Sequence, residues 1–441
     1  MKGIMVVACF VLLLTLVSPT LSRADVAPAA APAPTGPVDY KQLYEEQKKR
    51  NDELEKRISI LEEKDAAEPY VTKESLPEAT LNFIQQTEIS GYVSSSYFYN
   101  FNNPAEHLNT GRGFDYLSDE FMINKVVLTL TKSVEYNPFD WAAGYEVQTI
   151  FGQDAEFTQA SGLDLGTDGD LFIATVTVNV PVGNGLQVTA GKFGTMIGYE
   201  ASLTEENANW SGGNQWTFLE PFTHTGLHSA YKPTGEIEVQ FCVMNGWDNV
   251  VDNNNSKSFM GYVNYAPNDN TSVSVTGYGG PEQDDNNSNW RRGVDMVVSQ
   301  KFSPKFTGVC QVDYGAESGA KVVGVGVDAN GDPVAIEDGT AEWWGVGVWG
   351  IYDFTEKVQA AVRWDFVDDI NGARTSDAPS RNPYPINRGQ QIQSVTLTLN
   401  FKPLEQLRVS PEFRWDRSTL DDAYDGHEEQ VTVGVGAAYF Y

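Results

Sequence analysis

The stretch that decides the fold is residues 429–441, which read EQVTVGVGAAYFY. Successive side chains of a β-strand point to opposite faces of the sheet. One face of this strand would carry apolar and aromatic residues: Val431, Val433, Val435, Ala437, Tyr439 and Tyr441. The other face would carry small or polar residues: Gln430, Thr432, Gly434, Gly436 and Ala438. An apolar face that ends in aromatic residues is typical of a transmembrane β-barrel, whose outer surface contacts lipid.

The same alternation recurs from residue 88 onward, in segments joined alternately by short and long connections. Short connections carry turn residues, as in VGNG at residues 182–185. The long connections are residues 102–119, 153–169, 195–222, 247–257, 280–290, 317–341, 367–389 and 417–428. We count about sixteen strands, a number at which a barrel encloses an aqueous channel. Residues 88–441 are therefore predicted to form an all-β, transmembrane, antiparallel up-and-down β-barrel with short periplasmic turns and long external loops.

A soluble β-sandwich is the alternative fold for this pattern. Its strands also alternate, but their apolar faces pack against each other, and the loops at its two ends are similar in length. The asymmetry between short and long connections, together with the aromatic strand at residues 429–441, favours the barrel.

Composition excludes several classes of protein. The chain has 441 residues, a formal net charge of −30 and 41% hydrophobic residues. Strong acidity argues against binding to nucleic acid, which requires basic patches, and a mean hydropathy of −0.34 argues against a helical membrane protein. The sequence contains no zinc-type Cys/His spacing, nucleophile elbow or phosphate loop. We therefore expect no cofactor, no metal site and no enzymatic activity.

Residues 1–24 have the pattern of a signal peptide. Lys2 precedes an apolar run over residues 4–17, and Ser22, Arg23 and Ala24 follow it. The run is too short to cross a bilayer as a helix, which disfavours a membrane anchor. The pattern predicts export from the cytoplasm.

Three segments come between the signal peptide and the barrel. Residues 25–37 are rich in Ala and Pro, and residues 66–87 form a second linker. Residues 38–65 carry a seam at alternating four- and three-residue steps: Tyr40, Tyr44, Gln47, Asn51, Leu54, Ile58 and Leu61. The seam predicts a short periplasmic coiled-coil helix that joins copies of the chain, plausibly as a homotrimer. A single solvated helix is the alternative, because charge-rich segments also suit a solvated face.

Three stretches carry a resemblance to a known family. They are FMINKVVLTLTKSVEYNPFDWAAGYEVQTIFG at residues 121–152, GKFGTMIGYE at residues 191–200 and FTHTGLHSAYKP at residues 222–233. Their order and spacing resemble the OmpL-like family of β-barrel porins, and the resemblance covers most of residues 89–441. It implies a channel with a watery lumen and adds little about the solute.

We therefore expect an outer-membrane porin: a water-filled diffusion channel for small hydrophilic solutes or ions. The longest loop, residues 195–222, is the candidate constriction by analogy with general porins, although a loop lying across the rim is the alternative. The loop carries four carboxylates and two indoles: Glu200, Glu205, Glu206, Glu220, Trp210 and Trp216. Strand parity points four basic side chains into the lumen: Lys125, Arg363, Arg408 and Arg414. The arginines would oppose the acidic loop across the lumen, and the excess of acids predicts a weak cation preference.

Some alternatives stay open. The alternative function is a structural barrel that the coiled-coil segment, residues 38–65, anchors to the cell wall through contact with peptidoglycan. In either case we expect lipid and lipopolysaccharide of the outer membrane to surround the barrel. The Asp/Asn runs at residues 252–255 and 284–287 suit divalent cations or lipopolysaccharide bridging, and equally suit solvated loops. Lys192 shares its parity with Val188 and Ala190, which we place toward lipid. Either a bulge follows Ala190 or the lysine extends to the rim.

Overall fold

The computed structural model describes residues 85–441, apart from residues 164, 328–332, 338 and 376–388, together with positions 48, 49, 56 and 83. The signal peptide and the first linker lie outside the described residues. So do nearly all of the predicted coiled coil and of the second linker. The barrel unit comprises Thr87–Tyr441.

The strands follow one another along the chain with few other elements between them. Their bounds are β1 (Glu88–Asn100), β2 (Glu120–Lys132), β3 (Ala142–Phe151), β4 (Gly169–Val180), β5 (Leu186–Gly194), β6 (Thr223–Tyr231), β7 (Ile237–Met244), β8 (Ser258–Asn268), β9 (Thr271–Pro281), β10 (Trp290–Ser303), β11 (Phe306–Ser318), β12 (Val322–Val327), β13 (Pro333–Glu337), β14 (Thr340–Thr355), β15 (Val358–Asp369), β16 (Gln390–Leu404), β17 (Leu407–Ser418) and β18 (Glu429–Phe440). Two short helices, α1 (Ala155–Thr158) and α2 (Asn214–Leu219), lie in long connections.

Sixteen of the described strands close into one barrel. Strands that follow one another along the chain are neighbours, β14 follows β11 in the barrel, and β18 pairs with β1. β1 pairs antiparallel with β18, so that Tyr92 lies opposite Phe440 and Asn100 lies opposite Thr432. Closure leaves no unpaired edge, as a sheet in lipid requires. The predicted antiparallel up-and-down barrel is confirmed.

One connection differs from the prediction. β12 and β13 form a separate two-stranded sheet between β11 and β14, in a stretch that was predicted to be a loop throughout. The two strands are six and five residues long. Alternation over so few residues, beside a Gly- and Asp-rich sequence, does not distinguish a strand from a loop.

The connections are short at one end of the barrel and long at the other. β8 and β9, for example, are separated by two residues, whereas β5 and β6 are separated by residues 195–222. None of the helices among the described residues is long and apolar enough to cross a membrane.

The outer face of the barrel is apolar. Valines and leucines at outward positions stay open on the isolated chain, among them Val176 at 56%, Val294 at 44% and Leu397 at 45% exposure. Exposed aromatic residues lie near both ends of the strands: Trp141, Phe302, Phe354 and Tyr439 near the short turns, and Phe121, Trp290 and Trp344 near the long loops. An apolar belt between two aromatic girdles is the surface that a bilayer solvates.

The inner face is polar. On β16 the buried side chains alternate with lipid-facing ones, and Ser394, Thr396 and Thr398 point inward with 0%, 0% and 3% exposure. Polar groups buried this deeply require hydrogen-bond partners inside the barrel. Much of that partnership comes from loops that enter the lumen.

Lys192 lies inside rather than at the rim. Its side chain is 4% exposed, and its Nζ atom lies 3.2 Å from Asp170 Oδ1. The preceding Gly191 has a φ of +131°, a conformation that favours glycine. The register of β5 with β4 and β6 runs through Gly191 and Lys192 without a shift, so no bulge follows Ala190, and the rim alternative is wrong as well.

Candidate pore constriction

The connection between β5 and β6, residues 195–222, lies inside the barrel and is called the inward loop below. Its Trp210 and Trp216 side chains are 1% and 2% exposed. Trp210 packs against Phe98 of β1 and Ala438 of β18, and Glu200 pairs with Arg363 of β15, which lies across the barrel from β5 and β6. The loop therefore crosses the lumen and does not lie across the rim.

Glycines on two strands make room for the inward loop. A Cβ atom on Gly436 of β18 would lie 2.1 Å from the Trp210 ring, and one on Gly347 of β14 would lie 2.3 Å from Gln215 Oε1. Both distances are far below van der Waals contact. The pattern Gly-Val-Gly occurs at residues 345–347 and 434–436, but also at 324–326 in β12, so by itself it does not locate the place where the loop packs.

A buried ion pair ties the loop to β15. Arg363 Nη1 lies 2.6 Å from Glu200 Oε1 and also donates to the Ser211 carbonyl oxygen at 2.7 Å. Its Nη2 donates to Thr396 Oγ1 at 3.0 Å. A guanidinium with 0% exposure is stable only with such partners. The pair joins an early and a middle part of the loop to one point on the wall.

Two arginines of β17 bind the backbone of the loop. Arg414 Nη1 donates to the Gly212 carbonyl oxygen at 2.6 Å. Arg408 Nη1 donates to the carbonyl oxygen of Glu205. Both contacts are to peptide oxygens, so these arginines position the loop without neutralising its carboxylates.

Glu412, also on β17, holds the loop from the same strand. Its carboxylate accepts the backbone N–H of Trp210 at 2.7 Å and that of Ser211 at 3.1 Å. Glu412 has the same parity on β17 as Arg408 and Arg414, but nothing in the local sequence indicates that it binds two peptide groups some two hundred residues away.

The Glu205 side chain is bound at β1 and β2, two and three strands from β17 around the barrel. Its Oε2 lies 3.1 Å from Lys125 Nζ, which also lies 3.1 Å from Asp154 Oδ2. Tyr92 and Ser94 donate to its carboxylate at 2.8 Å and 2.6 Å. Burial by itself would raise the pKa of Glu205, but the Lys125 charge and the two hydroxyl donors outweigh it and lower the pKa. Glu205 is therefore held as a carboxylate.

Glu220 has the reverse environment. Gln311 Nε2 donates to Glu220 Oε1 at 2.6 Å. Burial, followed by the nearby Asp313 and Asp295 carboxylates, raises the pKa of Glu220 well above its ordinary value. Two buried glutamates of one loop thus favour opposite protonation states.

Glu206 is the exposed carboxylate of the four. It belongs to the 3₁₀ turn Thr204–Glu206, and among the described residues no ion-pair or side-chain hydrogen-bond partner binds its carboxylate. The sequence pattern predicted acids and arginines facing each other across open water. The geometry differs for Glu200 and Glu205, because the loop packs against the barrel wall, where buried charges require direct partners.

The long-loop end of the lumen holds a second charge network, which sequence reasoning missed. Arg112, in the connection between β1 and β2, pairs with Asp115 and with Asp416 of β17. Asp416 Oδ1 also accepts Arg414 Nε at 2.8 Å. Arg112 and Asp416 are 304 positions apart, so no local sequence pattern indicates their contact.

Cavities of different size lie on the two sides of the inward loop. One of about 540 Å³ lies between β3–β6 and the first half of the inward loop, and one of about 300 Å³ lies near the short turns. Tyr199 and Glu206 line both. Toward the long loops, a cavity of about 20 Å³ remains beside Asn214 and Asp416, room for roughly one water molecule. Of these cavities, the one on the long-loop side is the smallest.

The acidic external runs contact each other. Asn253 Nδ2 donates to Asp284 Oδ1 at 2.9 Å, and the Asn255 N–H donates to Asn287 Oδ1 at 2.8 Å. Within the part of the chain that the structure describes, no group of three His, Cys, Asp or Glu side chains is arranged to hold a metal ion.

Solved porins share this fold. A Salmonella typhi OmpF complex with daunomycin aligns with a TM-score of 0.53 at 9% identity, covering 80% of this chain and 97% of that one. An anion-selective porin from Comamonas acidovorans gives 0.52 at 11%, covering 80% and 99%. The outer membrane channel DcaP of Acinetobacter baumannii gives 0.50 at 12%, covering 80% and 97%. At such identities the likeness concerns the fold alone.

No curated relative matches the sequence. A sequence family does match, over residues 86–441, which is the whole barrel. Together with the closed barrel and its lipid-facing belt, this match identifies an outer-membrane β-barrel of the porin class. The chain belongs to the family described as putative beta-barrel porin-2, OmpL-like.

Proposed function

We propose that this porin is a narrow diffusion channel for small hydrophilic solutes and ions, constricted by the inward loop. The observation that carries the proposal is the pair of polar cavities that share Tyr199 and Glu206 at the loop. Solutes would pass beside the loop rather than through it. Because the lumen is tight on the long-loop side, we expect a small conductance.

We further propose a weak cation preference. The basic side chains that face the loop are bound to its backbone or to buried acids, whereas Glu206 stays exposed. Glu146 on β3 also lines the larger cavity, and among the described residues it has no ion-pair partner. Unpaired carboxylates in a low-dielectric passage attract cations and repel anions.

The N-terminal arm belongs to the proposal as well. With short turns in the periplasm, residues 25–87 would extend into that compartment, and the heptad seam of residues 38–65 would hold three barrels together. Lipid and lipopolysaccharide would surround the trimer in the outer membrane.

Swelling of liposomes tests the channel. Vesicles containing the purified full chain should swell in small neutral sugars, at rates that fall steeply with sugar size. A barrel that serves only as a structural anchor is the competing function, and the many buried contacts that hold the loop across the lumen favour it. If vesicles with folded protein do not swell in any sugar, the result contradicts the channel function and favours the structural anchor.

A further inference from the structure

The cavity of about 540 Å³ has a hydroxyl-rich wall. Thr175, Thr177 and Thr189 line it from β4 and β5, and the hydroxyls of Thr177 and Thr189 lie 2.8 Å apart. Gln148 of β3 completes the row, with its amide bound to Thr129 at 2.9 Å. This wall offers hydrogen-bond acceptors to a polar molecule in the lumen.

Aromatic rings line the same cavity. Phe172 at the start of β4, Phe193 of β5 and Phe222 of the inward loop are 5%, 7% and 5% exposed, so their rings are held in place by packing. Tyr199 faces the cavity from the loop. Fixed aromatic faces attract cations as well as apolar groups.

The charges of the cavity have one sign. Glu146, Glu200 and Glu206 line it, and no lysine or arginine is found among its described lining residues. Glu200 is neutralised by Arg363. Glu146 and Glu206 keep their carboxylates without an ion-pair partner among the described residues.

We propose that this cavity is a binding site for small organic amines, which reside there on their way through the channel. The ammonium group would contact Glu146 or Glu206, and the carbon chain would lie against the phenylalanine rings. The inference deepens the proposed function and rests on it. A site that binds a solute weakly inside a passage favours entry without preventing exit.

Single-channel recording with 1,4-diaminobutane as the probe tests the site. In KCl the diamine should interrupt the current in a concentration-dependent way, whereas its neutral analogue 1,4-butanediol should not. Glu146→Gln and Glu206→Gln should each weaken the block by about tenfold, since each removes one charge-assisted contact. Glu238→Gln is the matched control: Glu238 is an inward glutamate outside this cavity, paired with Lys232 at 3.6 Å.

The outcomes separate the two proposals. Block by the diamine that falls in both cavity variants but not in Glu238→Gln supports the site. If the diamine leaves the conductance steps in KCl unchanged, or if butanediol blocks them equally, the binding site is contradicted and the proposed channel is not. Protein that is folded by its heat-dependent gel mobility, yet gives no KCl steps, overturns the channel and the site together.

Discussion

At the scale of single residues, Glu205 and Glu220 lie on one loop in opposite environments. Lys125, Tyr92 and Ser94 stabilise the Glu205 carboxylate. Glu220 lies near two aspartates, and its pKa is raised. The same loop therefore has one acid that stabilises the fold when charged and one that stabilises it when protonated.

Replacing each acid by glutamine tests this contrast. A raised folded-state pKa means that the stability from Glu220 is present at low pH and is lost as pH rises. Glu220→Gln should therefore raise the unfolding temperature at about pH 8 and flatten its pH dependence. Glu205→Gln should lower stability at neutral pH by about 2 kcal/mol, because the pKa of Glu205 is lowered and its charged contacts are lost. The measurement is thermal unfolding in detergent, and shifts of the same sign for both variants would contradict the account.

Glu206 should make the cation preference depend on pH. Partial burial and the neighbouring Glu205 raise the pKa of Glu206, so its carboxylate takes up a proton at higher pH than an ordinary glutamate. As pH falls from about 8 to about 4, the reversal potential in a KCl gradient should shift toward zero, because the channel loses cation selectivity. At about pH 8 the Glu206→Gln variant should be less cation-selective than the unmodified protein, and its selectivity should change less as pH falls. An equal pH response in both proteins would show that Glu206 does not cause the pH dependence.

At the scale of elements, the inward loop depends on glycine in the strands around it. Gly436→Leu would place a side chain where the Trp210 ring now lies, so we expect the loop to move and stability to fall by about 1–3 kcal/mol. Gly261→Leu is the control, since nothing lies within 4 Å of a Cβ atom there. Tryptophan emission should shift to longer wavelength in Gly436→Leu only. If the two variants have indistinguishable spectra and unfolding temperatures, Gly436 is not needed to make room for Trp210.

Alternation was sufficient to predict the barrel strands because lipid outside and polar contacts inside impose a two-residue period on each one. The small elements lacked such a signal. Helix α1 has four residues and α2 has six, and all residues of α2 are buried inside the barrel. Segments this short are stabilised by tertiary contacts rather than by helix propensity, so their sequence does not reveal them.

At the scale of the whole molecule, parity could indicate which charges face inward but not which of them meet. Arg363 and Glu200 are 163 positions apart, and Arg414 and Gly212 are 202 apart. Their contact depends on where the inward loop crosses the lumen. That path is set by packing of Trp210 and Trp216 against distant strands, which a strand pattern does not contain.

The oligomeric state is a prediction at this scale as well. If residues 38–65 form a three-stranded coil, chemical crosslinking of the purified full chain should give a trimer, and deletion of residues 38–65 should shift the product toward monomer. Swelling activity should persist in the deleted form, since residues 38–65 do not belong to the barrel unit Thr87–Tyr441. Identical crosslinked products with and without the segment would show that it does not assemble the protein.

The central claim is that an apolar, lipid-facing surface encloses a water-filled lumen lined by charged side chains. Planar-bilayer recording of the purified protein in KCl measures that passage directly. We expect discrete, small conductance steps whose reversal potential in a salt gradient has the sign of a cation preference. Folded protein that enters the bilayer and never opens a step would contradict the account.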